Sequence, residues 1–295
     1  MRILSLEGAP CRALGQLQVL KKILSRKSLD YRACFDCYIG GSWGGVLALC
    51  FANILPIETI EECFLQSHTY LNTVYHQVLS LLFPRACPKK MLAPFYPLFE
   101  GLQLKDLKKR VILYGYDFDY KKIITFDSHN PKDQDLFLQD ILEKIVFAPS
   151  IFKPHVNTSI TDVALVFKSP LFYTLISYYQ EWKSQHIDVL HLGVGEKHAE
   201  PRKLRELFQK GWVYWVFSKA IFEEIDSIGA VYQNYLTKVL HDTAIYPSLK
   251  IQTLQPQIAG GVDFSFMGDV SLTPTHIMSE VDAWISNEMI DHLEF

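Results

Sequence analysis

Apolar and polar positions along the first fifty residues alternate in two registers. Ile3-Leu4-Ser5-Leu6 is a short apolar run that reads as a strand, and Gly8-Ala9-Pro10 is a turn. Leu14, Leu17, Leu20, Ile23 and Leu24 then recur at helical spacing, with Lys21, Lys22, Arg26 and Lys27 between or after them. The sequence repeats this unit at once: Cys34 to Ile39 predicts a second strand, and Val46 to Ala52 a buried helix. Two consecutive strand-turn-helix units predict a parallel sheet whose chemistry lies at the carboxyl ends of its strands.

The pattern continues with a helix from Pro56 through Ile57, Ile60, Phe64, His68 and Leu71. Val78 to Phe99 is apolar but broken by four prolines, so it is read either as a packed irregular loop or as a lid or lipid-facing rim. Leu102 to Lys109 predicts a short basic helix. Val111–Tyr116 and Lys122–Phe126 predict paired strands joined by a polar Asp117–Tyr120 turn. Asp133 to Val146 predicts an amphipathic helix, and Pro170 opens another that runs to about Trp182. Ile187 to Leu192 is a strand entering the Gly193-Val194-Gly195 turn. Beyond about 196 the chain reads as mainly helical, with Trp212, Trp215, Phe217 and Ile221 on one face and Met278, Val281, Ile285 and Met289 at helical spacing. No linker or repeat interrupts it. The reading is a single domain over 1–295, its core about 1–195.

Composition narrows the class. With 49% hydrophobic residues the 295-residue chain buries a sizeable core, and 29 basic against 32 acidic residues leave a net charge of -3 with no basic block for nucleic acid. The six cysteines, Cys11, Cys34, Cys37, Cys50, Cys63 and Cys87, lie mostly in apolar segments, as reduced thiols of a cytoplasmic protein do. Cys34-x-x-Cys37 has no second pair at ligand spacing, and no His-x-x-x-His occurs, so neither a metal nor a cofactor is expected. The longest apolar stretch, Gly44 to Leu55, falls short of the roughly 20 residues a spanning helix needs.

The chemistry concentrates at Ile39-Gly40-Gly41-Ser42-Trp43-Gly44-Gly45, a Gly-x-Ser-x-Gly pattern at the junction of strand and helix. Glycines two residues either side of a serine permit a sharp turn that lifts the hydroxyl above the sheet, where the helix N-terminus favours developing negative charge. Ser42 is the candidate nucleophile, Gly40 and Gly44 its flanking glycines, and Trp43 offers the next backbone N–H.

With these segments in order, the chain resembles the patatin-like phospholipase family over most of its length. Ile3 to Ala13 occupies the place of that family's opening strand and Asp-Gly-Gly-Gly-x-Arg-Gly turn, the turn itself falling on Glu7-Gly8-Ala9-Pro10-Cys11-Arg12-Ala13. Phe35-Asp36 introduces the nucleophile turn, and Ala148 to Pro154 is similar to its Ala-Pro-x-x-Phe-x-Pro stretch. Asp162-Val163-Ala164 with Lys168-Ser169-Pro170 looks like its second catalytic element, Val189 to Gly195 like its Leu-Gly-Thr-Gly strand, and Tyr246 to Ile251 falls at a late strand.

The resemblance implies a three-layer α/β sandwich with a mostly parallel sheet and a Ser42–Asp162 dyad without histidine. It implies an oxyanion turn drawn from Gly8, Ala9, Cys11, Arg12 and Trp43, and hydrolysis of phospholipid or other acyl-ester lipids by a protein that visits membrane surfaces from the cytoplasm. The turn departs from the family's pattern. Pro10 has no N–H, Ala9 and Ala13 replace glycines, Glu7 replaces aspartate, and Val163 replaces the glycine after the acid. Loss of one oxyanion donor typically costs about 10² to 10³ in rate, so an inactive lipid- or protein-binding relative is the alternative. A second alternative is an ordinary α/β-hydrolase completed by His241, His276 or His292.

Overall fold

The computed structural model describes residues 1–8, 12–75, 87–147, 159–163, 166, 169–197, 232, 235–236, 238–240, 245–246, 248–258 and 273–294. The first two units form as the pattern predicts. They are β1 (Arg2–Leu6), α1 (Ala13–Lys27), a single turn α2 (Tyr31–Cys34), β2 (Cys37–Gly41) and α3 (Ser42–Ala52). Then come α4 (Ile57–Tyr75), α5 (Pro88–Leu92), the hairpin β3 (Arg110–Asp117) and β4 (Lys122–Asp127), α6 (Leu138–Val146) and β5 (Ile160–Asp162). The remainder is α7 (Leu171–Ser177), α8 (Tyr179–Trp182), β6 (Ile187–Leu192), β7 (Glu196–Lys197), β8 (Leu249–Leu254), β9 (Gln257–Ile258), α9 (Pro274–Trp284) and α10 (Asn287–Asp291).

The central sheet runs β4-β3-β2-β1-β6-β8, with β5 also paired to β3. Every pairing from β3 across to β8 is parallel, and β4 and β5 are antiparallel to β3. The alternation of side chains along each strand divides the core in two. Leu4, Leu6, Tyr38, Val111, Leu113, Leu190 and Leu192 face α1, α3, α4, α6 and α9. Ile3, Cys37, Ile39, Ile112, Tyr114 and Val189 face α7 and α8 through Leu171, Leu175 and Trp182. Helices thus cover both faces, which is why these strands lack a polar side. The chain past 196 supplies β8 to this sheet, and α9 packs on α1 where Gly15 lies close to Ile277 and Val281.

Several boundaries differ from the sequence reading, each for a local reason. Tyr31 to Cys34 is helical because the Asp30 side chain caps it, accepting from the Arg32 N–H, so the second strand begins at Cys37 and the two cysteines sit on different elements. The expected helix from Leu102 to Lys109 is one 3-10 turn, Leu104–Asp106, and the N–H groups of Lys108 and Lys109 turn to the Ala52 carbonyl. The helix expected from Asp133 starts at Leu138, since the Asp133 side chain accepts from the Asp127 N–H and the Asn130 amide instead. The late strand starts at Leu249, and the terminal helix stops at Trp284 before Ser286 caps α10.

Of the proline-broken segment, residues 87–99 are described, and their larger apolar side chains turn into the core. Met91, Leu92, Phe95 and Phe99 are buried, and Phe95 closes an aromatic cluster with Phe64 and Trp43 beneath the start of α3. Residues 76–86, Ala148–Pro154, Trp212, Trp215, Phe217 and Ile221 lie outside the described residues. No helix among the described residues is long and apolar enough to cross a membrane.

Candidate active site

Sheet register brings the candidate serine and aspartate together. β3 carries β4 along one edge from Ile112 to Asp117, so its other edge is shared by two strands: β2 pairs Gly41 with Tyr114, and β5 pairs Asp162 with Gly115. Strands β2 and β5 therefore meet end to end at adjacent positions of β3. Ser42 leaves one end and Asp162 stands at the other, and the Ser42 hydroxyl donates to Asp162 Oδ2 at 2.6 Å. Residues 120 apart in sequence become neighbours through strand pairing, before any loop is considered.

The serine is held in a conformation its residue type disfavours. Ser42 has φ 53°, in the left-handed region, between the extended Gly41 and the helical turn of α3. The turn closes tightly enough that side chains are excluded around it. A Cβ on Gly40 would overlap the Gly44 carbonyl, and one on Gly44 would overlap the carbonyls of Leu6 and Glu7. A Cβ on Gly8 would lie 2.5 Å from Ser42 Cβ, so the glycine turn after β1 presses directly on the serine. Ser42 and Trp43 are buried at the amino end of α3, and the aromatic packing on Phe64 and Phe95 fixes the Trp43 position. Ala9, Pro10 and Cys11 lie outside the described residues.

Asp162 is anchored from behind. Its own N–H and the Thr161 hydroxyl both donate to the Phe147 carbonyl at the end of α6, and Val163 packs against Gly41 on the opposite side. Both Asp162 and Ser42 are buried, at 1% and 4% exposure, so their hydrogen bond is shielded from competing water.

A second buried polar group, unread in the sequence, ties the glycine turn to the loop after β6. Glu7 Oε2 accepts from the Val194 N–H at 3.0 Å, and its Oε1 lies 3.4 Å from His191 Nε2. His191 sits between Ser5, 3.1 Å from Nδ1, and Ser169, 3.4 Å from Nε2. Gln16 donates to the carbonyls of both Glu7 and Leu192, and the buried Arg12 guanidinium donates to the Gly195 carbonyl. This contact joins Arg12 to the loop after β6. The signals in the sequence were the acidic residue at position 7, where the pattern has a shorter aspartate, and Arg12, which matches the family's arginine.

Among the described residues no histidine hydrogen-bonds to Ser42: His191 is held in the Glu7 cluster, and His276 sits on the surface of α9 near Glu280. His241 lies outside the described residues. No group of three or more metal-capable side chains occurs among the described residues.

No protein-family model and no curated sequence matches the chain. Among solved structures it is similar to VipD from Legionella pneumophila at 10% identity and TM-score 0.44, over 96% of this chain and 66% of that one. It is also similar to the type III effector protein ExoU at 8% identity and TM-score 0.40, over 98% of this chain and 52% of that one. The chain spans half to two thirds of the length of these proteins.

Proposed function

We propose that the chain is a serine acyl hydrolase acting on ester lipids, with Ser42 as nucleophile and Asp162 as its base. The observation that carries this reading is the buried 2.6 Å hydrogen bond from Ser42 Oγ to Asp162 Oδ2, made from a left-handed serine at a strand-to-helix turn. A hydroxyl is a poor nucleophile until a base accepts its proton, and Asp162 is within reach of that proton. In this mechanism Ser42 Oγ attacks the ester carbonyl carbon while its proton passes to Asp162. The Trp43 N–H at the start of α3 and N–H groups of the Gly8 turn stabilise the oxyanion. Asp162 returns the proton to the leaving alcohol, which departs from an acyl-Ser42. Water then attacks the acyl carbonyl as its proton passes to Asp162, and Asp162 returns that proton to Ser42 Oγ as the acyl–Ser42 bond breaks and the fatty acid leaves. The lipid substrate class rests on the resemblance to patatin-like phospholipases.

The test is hydrolysis of a short-chain ester and of a phospholipid, with fluorophosphonate labelling of Ser42 as a readout independent of substrate. Ser42→Ala and Asp162→Asn are each expected to lower kcat by about 10³-fold or more with unchanged melting, as loss of a member of a catalytic unit does. Hydrolysis that survives both substitutions removes the dyad. An unlabelled Ser42 in a protein that binds lipid favours the inactive relative, for which the N–H missing at Pro10 is the motive.

A further inference from the structure

Strand β3 outruns its neighbour β2 and carries its hairpin turn beyond the site. Because β3 runs parallel to β2, this turn leaves the sheet at the end where Ser42 stands. Phe118 follows Gly115, the partner of Asp162, by three residues, about 10 Å along the strand at ~3.3 Å per residue. At the tip Phe118 is 49% and Tyr120 75% exposed, the latter more than any other large hydrophobic side chain among the described residues. Lys121 and Lys122 are exposed beside them.

The tip is built rigidly. Asp117 is buried and turned inward, its Oδ1 accepting from the N–H groups of Asp119 and Tyr120. The Phe118 N–H donates to the Ser159 carbonyl, the Phe118 ring packs edge-on to Tyr116 at 5.3 Å, and Lys122 Nζ lies 5.1 Å from the Tyr120 ring centroid. Lys121 holds φ 49°, where glycine would relax the backbone. Outward charge is two lysines against Asp119.

We infer that the β3–β4 hairpin tip is the membrane anchor of this protein, with Phe118 and Tyr120 entering the headgroup–acyl boundary and Lys121 and Lys122 contacting anionic headgroups. Shape and composition select a bilayer over a protein. A convex tip of two rings is far smaller than the roughly 800 Å² each partner gives to a stable protein interface, whereas exposed aromatic rings with flanking lysines suit the interfacial zone. An anchor here brings the lipid surface to the site end of the sheet, whereas Met91, Leu92, Phe95 and Phe99 are buried. Its choice of occupant rests on the acyl-ester reading, but binding is measured without catalysis.

The experiment is co-sedimentation of the full chain carrying Ser42→Ala with phosphatidylcholine vesicles, with and without phosphatidylserine. Adding Phe118→Ser and Tyr120→Ser is expected to lower partitioning by about tenfold per ring on both vesicle types. Adding Lys121→Glu and Lys122→Glu is expected to lower it by at least tenfold on the anionic vesicles alone. In the otherwise unaltered protein, the serine pair is expected to leave melting and short-chain ester hydrolysis unchanged. A parent that does not sediment, or a serine pair that sediments like its parent, overturns the anchor. So does a lysine effect independent of phosphatidylserine. Ester hydrolysis missing from the unaltered protein, with hairpin-dependent sedimentation intact, sinks the hydrolase reading and leaves the anchor standing.

Discussion

Arg110 at the amino end of the central sheet and Ser42 at its carboxyl end use buried polar contacts in different ways. At the amino end Arg110, the first residue of β3, donates to both oxygens of Asp127 and to Glu181, and Tyr178 donates its hydroxyl to Asp127. The guanidinium also lies over the rings of Tyr178 and Trp182, at 5.2 and 5.6 Å from their centroids. Burial works against the Arg110 charge, but the hydrogen bonds to Asp127 and Glu181 outweigh it and push its titration above the ordinary arginine range. At the carboxyl end, by contrast, a hydroxyl and a carboxylate face each other across the junction of two strands, beside a left-handed residue and glycines that admit no side chain. Charges that close on one another hold the sheet. A strained hydroxyl held against an acceptor is what the proposed acyl transfer requires, so under that proposal one end stabilises and the other reacts.

The largest effect that can break this division is Arg110→Met. It leaves Asp127 buried without its cation, so unfolding free energy is expected to fall by about 3–5 kcal/mol, measured by denaturant titration. Ester hydrolysis per folded molecule, measured well below the melting point, is expected to stay within twofold of the parent. A rate that collapses together with stability means the two ends are one coupled unit.

Gly44→Ala probes the other end with a smaller change. Alanine is worth up to about 1 kcal/mol over glycine inside a helix. Its Cβ would overlap the backbone carbonyls of Leu6 and Glu7, which cannot turn aside as a side chain can. Overpacking costs about 1–3 kcal/mol, and because the clash is with backbone the upper part of that range applies, so a net loss of up to about 2 kcal/mol is expected after the propensity gain. Separating β1 from α3 also displaces Gly8 from Ser42, so kcat is expected to fall even where the protein is folded. A variant that is more stable and equally active shows that the turn is looser than its geometry.

How much of this was legible depends on how far apart the contributing residues lie. The Ser42 turn is local: the strand before it, the glycines at 40 and 44 and the apolar helix after it all fall within about twenty residues, and the pattern gave both element types, with the strand expected three residues early and the helix four residues late. Asp162 entered through resemblance alone. Its strand β5 has three residues, too few to show alternation, and its meaning lies in pairing with Gly115, a register no pattern announces. The Glu7–His191 contact spans 184 residues and the Arg110–Glu181 pair 71, so both depend on how strands and α8 dock. Boundaries slipped where a polar side chain overrode the apolar pattern, as Asp30 did at α2 and Asp133 before α6. The 91–99 segment shows the opposite limit, since proline content excludes a long helix but does not say whether the remaining Phe95 and Phe99 face lipid or core.

The smallest effect sharpens the comparison through pH. Burial would raise the Asp127 carboxyl, but the Arg110 hydrogen bond, the His129 N–H and the arginine's charge hold it below the ordinary carboxylate range. Glu181, half-exposed, is lowered first by its hydrogen bond to Arg110. The folded state therefore binds these protons less readily than the unfolded chain does. The stability they contribute is fully present above the unfolded values, about 4. It is lost as pH falls from there through the lowered folded values. Thermal melting followed downward from about pH 5 is expected to show a fall that is shallower in Arg110→Met, which has lost the cation that lowers both groups. Equal slopes for parent and variant place the acid sensitivity elsewhere and remove the claim that the amino end is the charge-based clamp of this sheet.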